Sequence, residues 1–175
     1  SLSFFGVSYT QISVSSAGRI TFGGNSAIQS PSIGWATLSP GMVGHWCDLD
    51  PGAGGTVTVS APAPTLLRVD YVNVPYAAQP GTANTFGIEF DVVAGTIRLD
   101  NLAGIQAHPQ AANAFLGISR GNGSTNTGQT AFLAGSNGTS GNGTRMIYAF
   151  GPSGTLTAGL SQIVFFPNLI GNYDW

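Results

Sequence analysis

Gly117-Ile118-Ser119-Arg120-Gly121 fits the Gly-x-Ser-x-Gly pattern of a nucleophile elbow. An elbow needs a strand that passes into a helix, with the acid and then the histidine following in the chain. Here a Gly/Asn-rich stretch follows, and both histidines, His45 and His108, precede Ser119. The pattern reads as a strand end running into a loop, and nothing else in the chain supports a hydrolase.

His45-Trp46-Cys47-Asp48-Leu49-Asp50 is the densest group of candidate metal ligands. On a strand, alternation puts His45, Cys47 and Leu49 on one face and Trp46, Asp48 and Asp50 on the other. Zinc takes about four ligands, and only His45 and Cys47 share a face. Asp48 and Asp50, before Pro51-Gly52, offer oxygens to calcium. Calcium takes roughly six to eight, so carbonyls, water and a further carboxylate would have to join. The competing reading is that both aspartates fix the turn through backbone N–H groups. Cys47 is the single cysteine, so no intrachain disulfide forms, and beside Trp46 it reads as a small buried hydrophobe.

Asp70, Glu89, Asp91 and Asp100 fall on strand candidates. A carboxylate pair does glycosidase work at separations of about 5–10 Å. Glu89 and Asp91 share a face by parity, and Arg98 falls across a predicted hairpin, so a cross-strand ion pair is the simpler account. Asn122, Asn137 and Asn142 each open an Asn-Gly-Ser/Thr sequon. These carry glycans only on a eukaryotic secretory route, and an Asn/Gly/Ser/Thr-rich stretch makes sequons by chance. Trp35, Trp46, Trp175 and the tyrosines offer a sugar-stacking platform, but their wide spread points to core and interface anchors.

These residues must be positioned by strands, because the apolar pattern has period two. Phe4–Tyr9 opens with an apolar run. Gln11–Ser15 and Arg19–Gly23 form a hairpin around Ala17-Gly18. A loop follows from Gly24 to Gly41. Met42–Leu49 and Thr56–Ser60 are the next strands, and Ala61-Pro62-Ala63-Pro64 is a stiff break. Leu66–Val74 and Thr85–Val93 are the longest strands, and Gly95 turns the second into Thr96–Leu102. A helical turn fits only at His108–Asn113. Phe115–Ser119, Met146–Phe150 and Gln162–Phe166 complete the set. About ten or eleven short strands joined by Gly/Pro-rich turns predict an antiparallel β-sandwich of jelly-roll or Greek-key type. The single domain spans 1–175, with a Gly/Asn/Ser/Thr-rich segment at 121–144, interrupted at Ala131-Phe132-Leu133, and an aromatic tail at 162–175.

Composition narrows the function. Charged residues are 7% of the 175, against about 25% in an ordinary soluble domain. The basic residues are five arginines and no lysine, and net charge is −2. That excludes a basic nucleic-acid patch and argues against lysine/glutamate-rich helices. No apolar run is long enough for a membrane-spanning helix. The chain begins Ser-Leu-Ser, so any secretion signal has already gone, or the chain is a piece of a longer one. A near-neutral surface favours association.

Phe4-Phe5-Gly6 and Ile12–Gly23 resemble the opening "V-x-S-N-G-x-x-x-F-G" of nidogen-like (NIDO-type) extracellular β domains, which occur in many secreted bacterial surface proteins. His45–Pro51 is similar to their "F-W-x-D-L-D-P" strand. Val57-Thr58-Val59 with Leu67–Val74, Asn84–Phe90 with Gly95–Leu99, and Phe115–Ser119 follow in the family's order. The resemblance covers roughly Phe4–Ser119. Ala17 stands where Asn is usual, and Cys47 where a small or acidic residue is usual. It implies a β-sandwich interaction module without catalytic residues.

The expectation is therefore a non-catalytic structural or adhesive subunit, not an enzyme, located on an extracellular surface or filament. It would be a homo-oligomer or part of a larger assembly, with no cofactor unless calcium binds at Asp48 and Asp50. A virion component on the virion surface (capsid decoration, tail or fibre) and a carbohydrate-binding domain are the alternatives. In the tail, Phe165, Phe166, Leu169, Tyr173 and Trp175 are too apolar to leave in water. They dock into a neighbour or complete the chain's own core.

Overall fold

The computed structural model describes residues 1–22, 38, 41–100, 104–106, 115–121, 130–134, 146–150, 156–158 and 169–170. Every element delineated among them is a strand. A small hairpin comes first, β1 (Leu2–Phe4) against β2 (Val7–Tyr9). Next, β3 (Ile12–Val14), β4 (Arg19–Phe22) and β5 (Gly41–Trp46) pair in sequence in one sheet. The chain then builds a second sheet as a continuous meander: β6 (Thr56–Ala63), β7 (Leu66–Tyr76), β8 (Gln79–Asp91) and β9 (Thr96–Asp100).

The later strands extend both sheets. β10 (Phe115–Ser119) lies beside β5, followed by β11 (Thr130–Ala134). β12 (Met146–Phe150) joins β9 and carries β13 (Leu156–Ala158). β14 (Leu169–Ile170) pairs with β11. The orders are β14-β11-β10-β5-β4-β3 and β13-β12-β9-β8-β7-β6, antiparallel throughout. The antiparallel all-β class is the one the period-two pattern predicts.

Both sheets feed one core. Val69 and Tyr71 of β7, Phe86, Ile88 and Phe90 of β8, and Ile97 and Leu99 of β9 alternate inward. They meet Ile20 and Phe22 of β4 and Ile118 of β10. The Phe22 ring sits edge-on to Phe90 at 5.9 Å, joining the sheets. Leu2, Phe4 and Phe5 add the small hairpin to the same core, with Phe4 4.1 Å from Phe22.

Several boundaries differ from the sequence reading, each for a local reason. The apolar run Phe4–Tyr9 is split at Phe5-Gly6, whose φ values of 49° and 78° make a two-residue turn with the twist hairpins favour. Ala61-Pro62-Ala63 is not a break but the end of β6. An edge strand tolerates proline because one side of its backbone needs no partner, and the register shifts between Ser60 and Ala63. The β7–β8 hairpin runs on to Tyr76 and Gln79, past Pro75 and Pro80, with irregularities between Tyr71 and Tyr76. β5 stops at Trp46, because Asp48 adopts a left-handed φ of 59°. β9 ends at Asp100. The expected turn at His108–Asn113 and strand at Gln162–Phe166 lie outside the described residues.

Candidate functional site

The His45–Asp50 segment is built where the two sheets meet. Ser15-Ser16-Ala17-Gly18 turns β3 into β4, with Gly18 at φ 90°. The turn then lies on β5: His45 N–H donates to Gly18 O at 3.2 Å and Cys47 N–H to Ala17 O at 3.3 Å. A Cβ at Gly18 would collide with the His45 carbonyl. Past β5, Asp50 N–H donates to Pro75 O, and Ala77 N–H donates to Asp48 O, both at 2.9 Å. Leu49 bridges Tyr76. The segment is thereby clamped between the β3–β4 hairpin and the tip of β7–β8.

Clamping fixes the chemistry of each side chain. His45, Trp46 and Cys47 are all fully buried. The Tyr76 hydroxyl donates to Gln106 O at 2.6 Å. Its one proton is thus used, so the 2.8 Å contact with His45 Nε2 has the imidazole as donor. Cys47 Sγ donates to His45 O at 3.0 Å. Burial first, and then the neighbouring Asp48 charge, pushes the Cys47 thiol well above its ordinary range. Such a thiol is inert rather than a nucleophile. Trp46 carries the Arg19 guanidinium over its ring at 4.7 Å, and burial lowers the Arg19 pKa.

Asp50 Oδ1 accepts the Gly52 N–H at 2.9 Å, the turn-fixing bond weighed above against calcium. Because β5 ends at Trp46, strand alternation does not carry on to Asp48 and Asp50. Among the described residues no group of three or more His, Cys, Asp or Glu gathers.

Ser119 closes β10 and is buried, its Oγ accepting the Gly121 N–H at 3.1 Å. Gly121 has a φ of 81°, which ends the extended backbone of β10 there. Asp70 and Glu89 form an ion-pair ladder with Arg68 and Arg98 on the outer face of the second sheet. Arg68 grips Asp70 with Nε at 2.9 and 3.0 Å and Nη2 at 2.8 Å. Glu89 takes Arg98 at 2.8 Å and Arg68 at 3.5 Å. The cross-strand pairing of Glu89 with Arg98 is thus as the hairpin register requires. Asp91 does different work, its Oδ1 accepting the Val93 and Ala94 N–H groups at 2.9 Å. Trp46, Tyr71 and Tyr76 are buried and present no ring for a sugar to stack on.

The described residues do not include Trp35, Asn122, Asn137, Asn142, Phe165, Phe166, Tyr173 or Trp175. Leu169 lies in β14, opposite Leu133 of the same chain.

Sequence reasoning missed two polar anchors. The Tyr71 hydroxyl donates to Ser15 O at 2.6 Å, tying β7 to the β3–β4 hairpin, and its ring stacks on Phe86 at 4.6 Å. Asn84, buried in β8, donates through Nδ2 to Val74 O and accepts Gln106 N–H through Oδ1, both at 2.9 Å. A polar residue breaking an apolar alternation was the available signal for Asn84. Tyr71, in phase with the core, gave none.

What these contacts leave exposed is an edge. β6 ends the second sheet, and Thr56, Thr58, Val59, Ser60, Ala61 and Pro62 are exposed along it.

No curated protein and no solved structure matches the chain. A family model, NIDO related, matches residues 1–152. The match runs past the resemblance at Phe4–Ser119 to include β11 and β12. The family is of structural and adhesion type, typically extracellular, and not a known enzyme family. Over most of its length, from the first hairpin to β12, the chain belongs to the NIDO-related family.

Proposed function

We propose that this chain is a non-catalytic subunit of an extracellular surface or filamentous assembly, working through protein–protein contacts. One observation carries the reading: His45, Cys47, Ser119 and Glu89 are each engaged by partners within the chain. His45 and Cys47 are buried on hydrogen bonds, Ser119 is buried at a strand end, and Glu89 is held between two arginines. Exposed Thr, Ser, Ala and Val along β6 are suited to packing and backbone pairing.

Light scattering of the native chain over a concentration series tests this. A mass that rises with concentration to a defined assembly is expected. A monomer at every concentration would overturn the assembly reading. Repeating the series with a calcium chelator tests Asp48 and Asp50, since dissociation on chelation would make them ligands.

A further inference from the structure

We infer that β6 is a self-pairing edge. Two copies of the chain join there across a two-fold axis at Thr58, fusing their second sheets into one continuous antiparallel sheet. This rests on the assembly reading above and names its contact.

An open strand edge is a row of unsatisfied backbone donors and acceptors. Proteins normally blunt such edges with short strands, lysines, prolines or bulges. Among the described residues the other sheet ends are short: β3 and β13 have 3 residues each and β14 has 2, whereas β6 has 8. β6 carries no charge, and the chain has no lysine to place there. Pro62 and the shift after Ser60 stop pairing at one end, and Gly54-Gly55, at φ 152° and 75°, stop it at the other. Thr56–Ser60 remains open between these two stops.

That stretch is complementary to itself. Antiparallel pairing centred on Thr58 sets Thr56 against Ser60 and Val57 against Val59. The valines share the face of Tyr71 and Val69, their partners on β7. Val57 is partly buried against the core, whereas Val59 is 54% exposed, on the inward side where a core side chain belongs. Its cover is the Val57 of a second copy. On the outer face the threonines and serine meet as hydroxyl pairs, a cross-strand combination that stabilises sheets. One row back, Arg68 and Asp70 neutralise each other, so no like charges oppose across the seam. A contact this short falls below the roughly 1,200 Å² of a stable isolated dimer. It is a weak joint that closes a pair of copies, and a larger assembly would need a second, different contact beside it.

The test replaces Thr58 with Cys in the whole chain, with Val93→Cys as control. Val93 is 78% exposed on the β8–β9 turn, and Cys47 is buried out of competition. Directly opposed positions of antiparallel strands lie within disulfide reach. Under mild air oxidation the Thr58→Cys chain should form covalent dimers at least about tenfold faster than the control. Thr58→Lys keeps the fold, since Asp70 faces it on β7, but sets two lysines opposite each other and should abolish association. Mixing it with Thr58→Glu, whose folding is checked first by circular dichroism because Asp70 faces that position, should restore association. Equal cross-linking rates, or a Thr58→Lys chain that associates like the original, would overturn the edge pairing. If larger particles still form in that case, the assembly reading stands and only this contact falls. If every variant and the original stay monomeric, both fall.

Discussion

At the scale of single residues, buried polar groups decide stability, and each makes a measurable prediction. Tyr71→Phe removes the bond to Ser15 O and should cost about 1–2 kcal/mol in urea unfolding. Asn84→Ala strips partners from Val74 O and Gln106 N–H together, and about 2–4 kcal/mol is expected. Gly18→Ala forces a side chain into a left-handed backbone and against the His45 carbonyl. It should cost about 2–4 kcal/mol, and a change below about 0.5 kcal/mol would contradict the docking of the β3–β4 turn on β5. Glu89→Gln weakens an ion-pair ladder in which the Glu89 side chain is only 14% exposed, and it should cost about 1–2 kcal/mol without affecting association.

The sequence displayed some of these roles. Register alone paired Glu89 with Arg98, since both positions follow from one hairpin. The short spacing of Asp50 and Gly52 already allowed the turn bond. The Tyr71–Ser15 bond was not legible, because it joins residues 56 apart in the chain through tertiary packing.

At the scale of elements, strands showed themselves wherever one face is buried and the other wet, as in Leu66–Val74 and Thr85–Val93. They were obscured where proline or glycine occurs inside a paired region. Pro62, Pro75 and Pro80 sit in β6, β7 and β8, at an edge or near irregular pairing, where a missing N–H is tolerated. Phe5-Gly6 hid the first turn because an aromatic residue is an unusual occupant of a left-handed position. Gly6→Pro cannot adopt the observed φ of 78° and should detach the first hairpin. Loss of protection in amides 2–9, with those of β7–β9 retained, is the expected hydrogen-exchange result.

At the scale of the whole molecule, a chain with few charges loses stability in alkali rather than gaining it. Burial raises the pKa of Tyr71 and Tyr76 above the ordinary 10.0, and that of Cys47 above 9.0. The folded state therefore holds protons that the unfolded chain releases. Stability is fully present below about pH 9 and falls as pH rises through about 10 and beyond. Urea midpoints across that range check the sign, and Tyr71→Phe should flatten the slope.

Function at this scale lies in how copies meet, and amide exchange along β6 reads it most directly. With the chain at low and high concentration, the alternate amides of residues 56–60 that face away from β7 should gain protection as concentration rises, while those of β7 stay unchanged. Particles that grow in mass while amides 56–60 exchange at one constant rate would contradict the account.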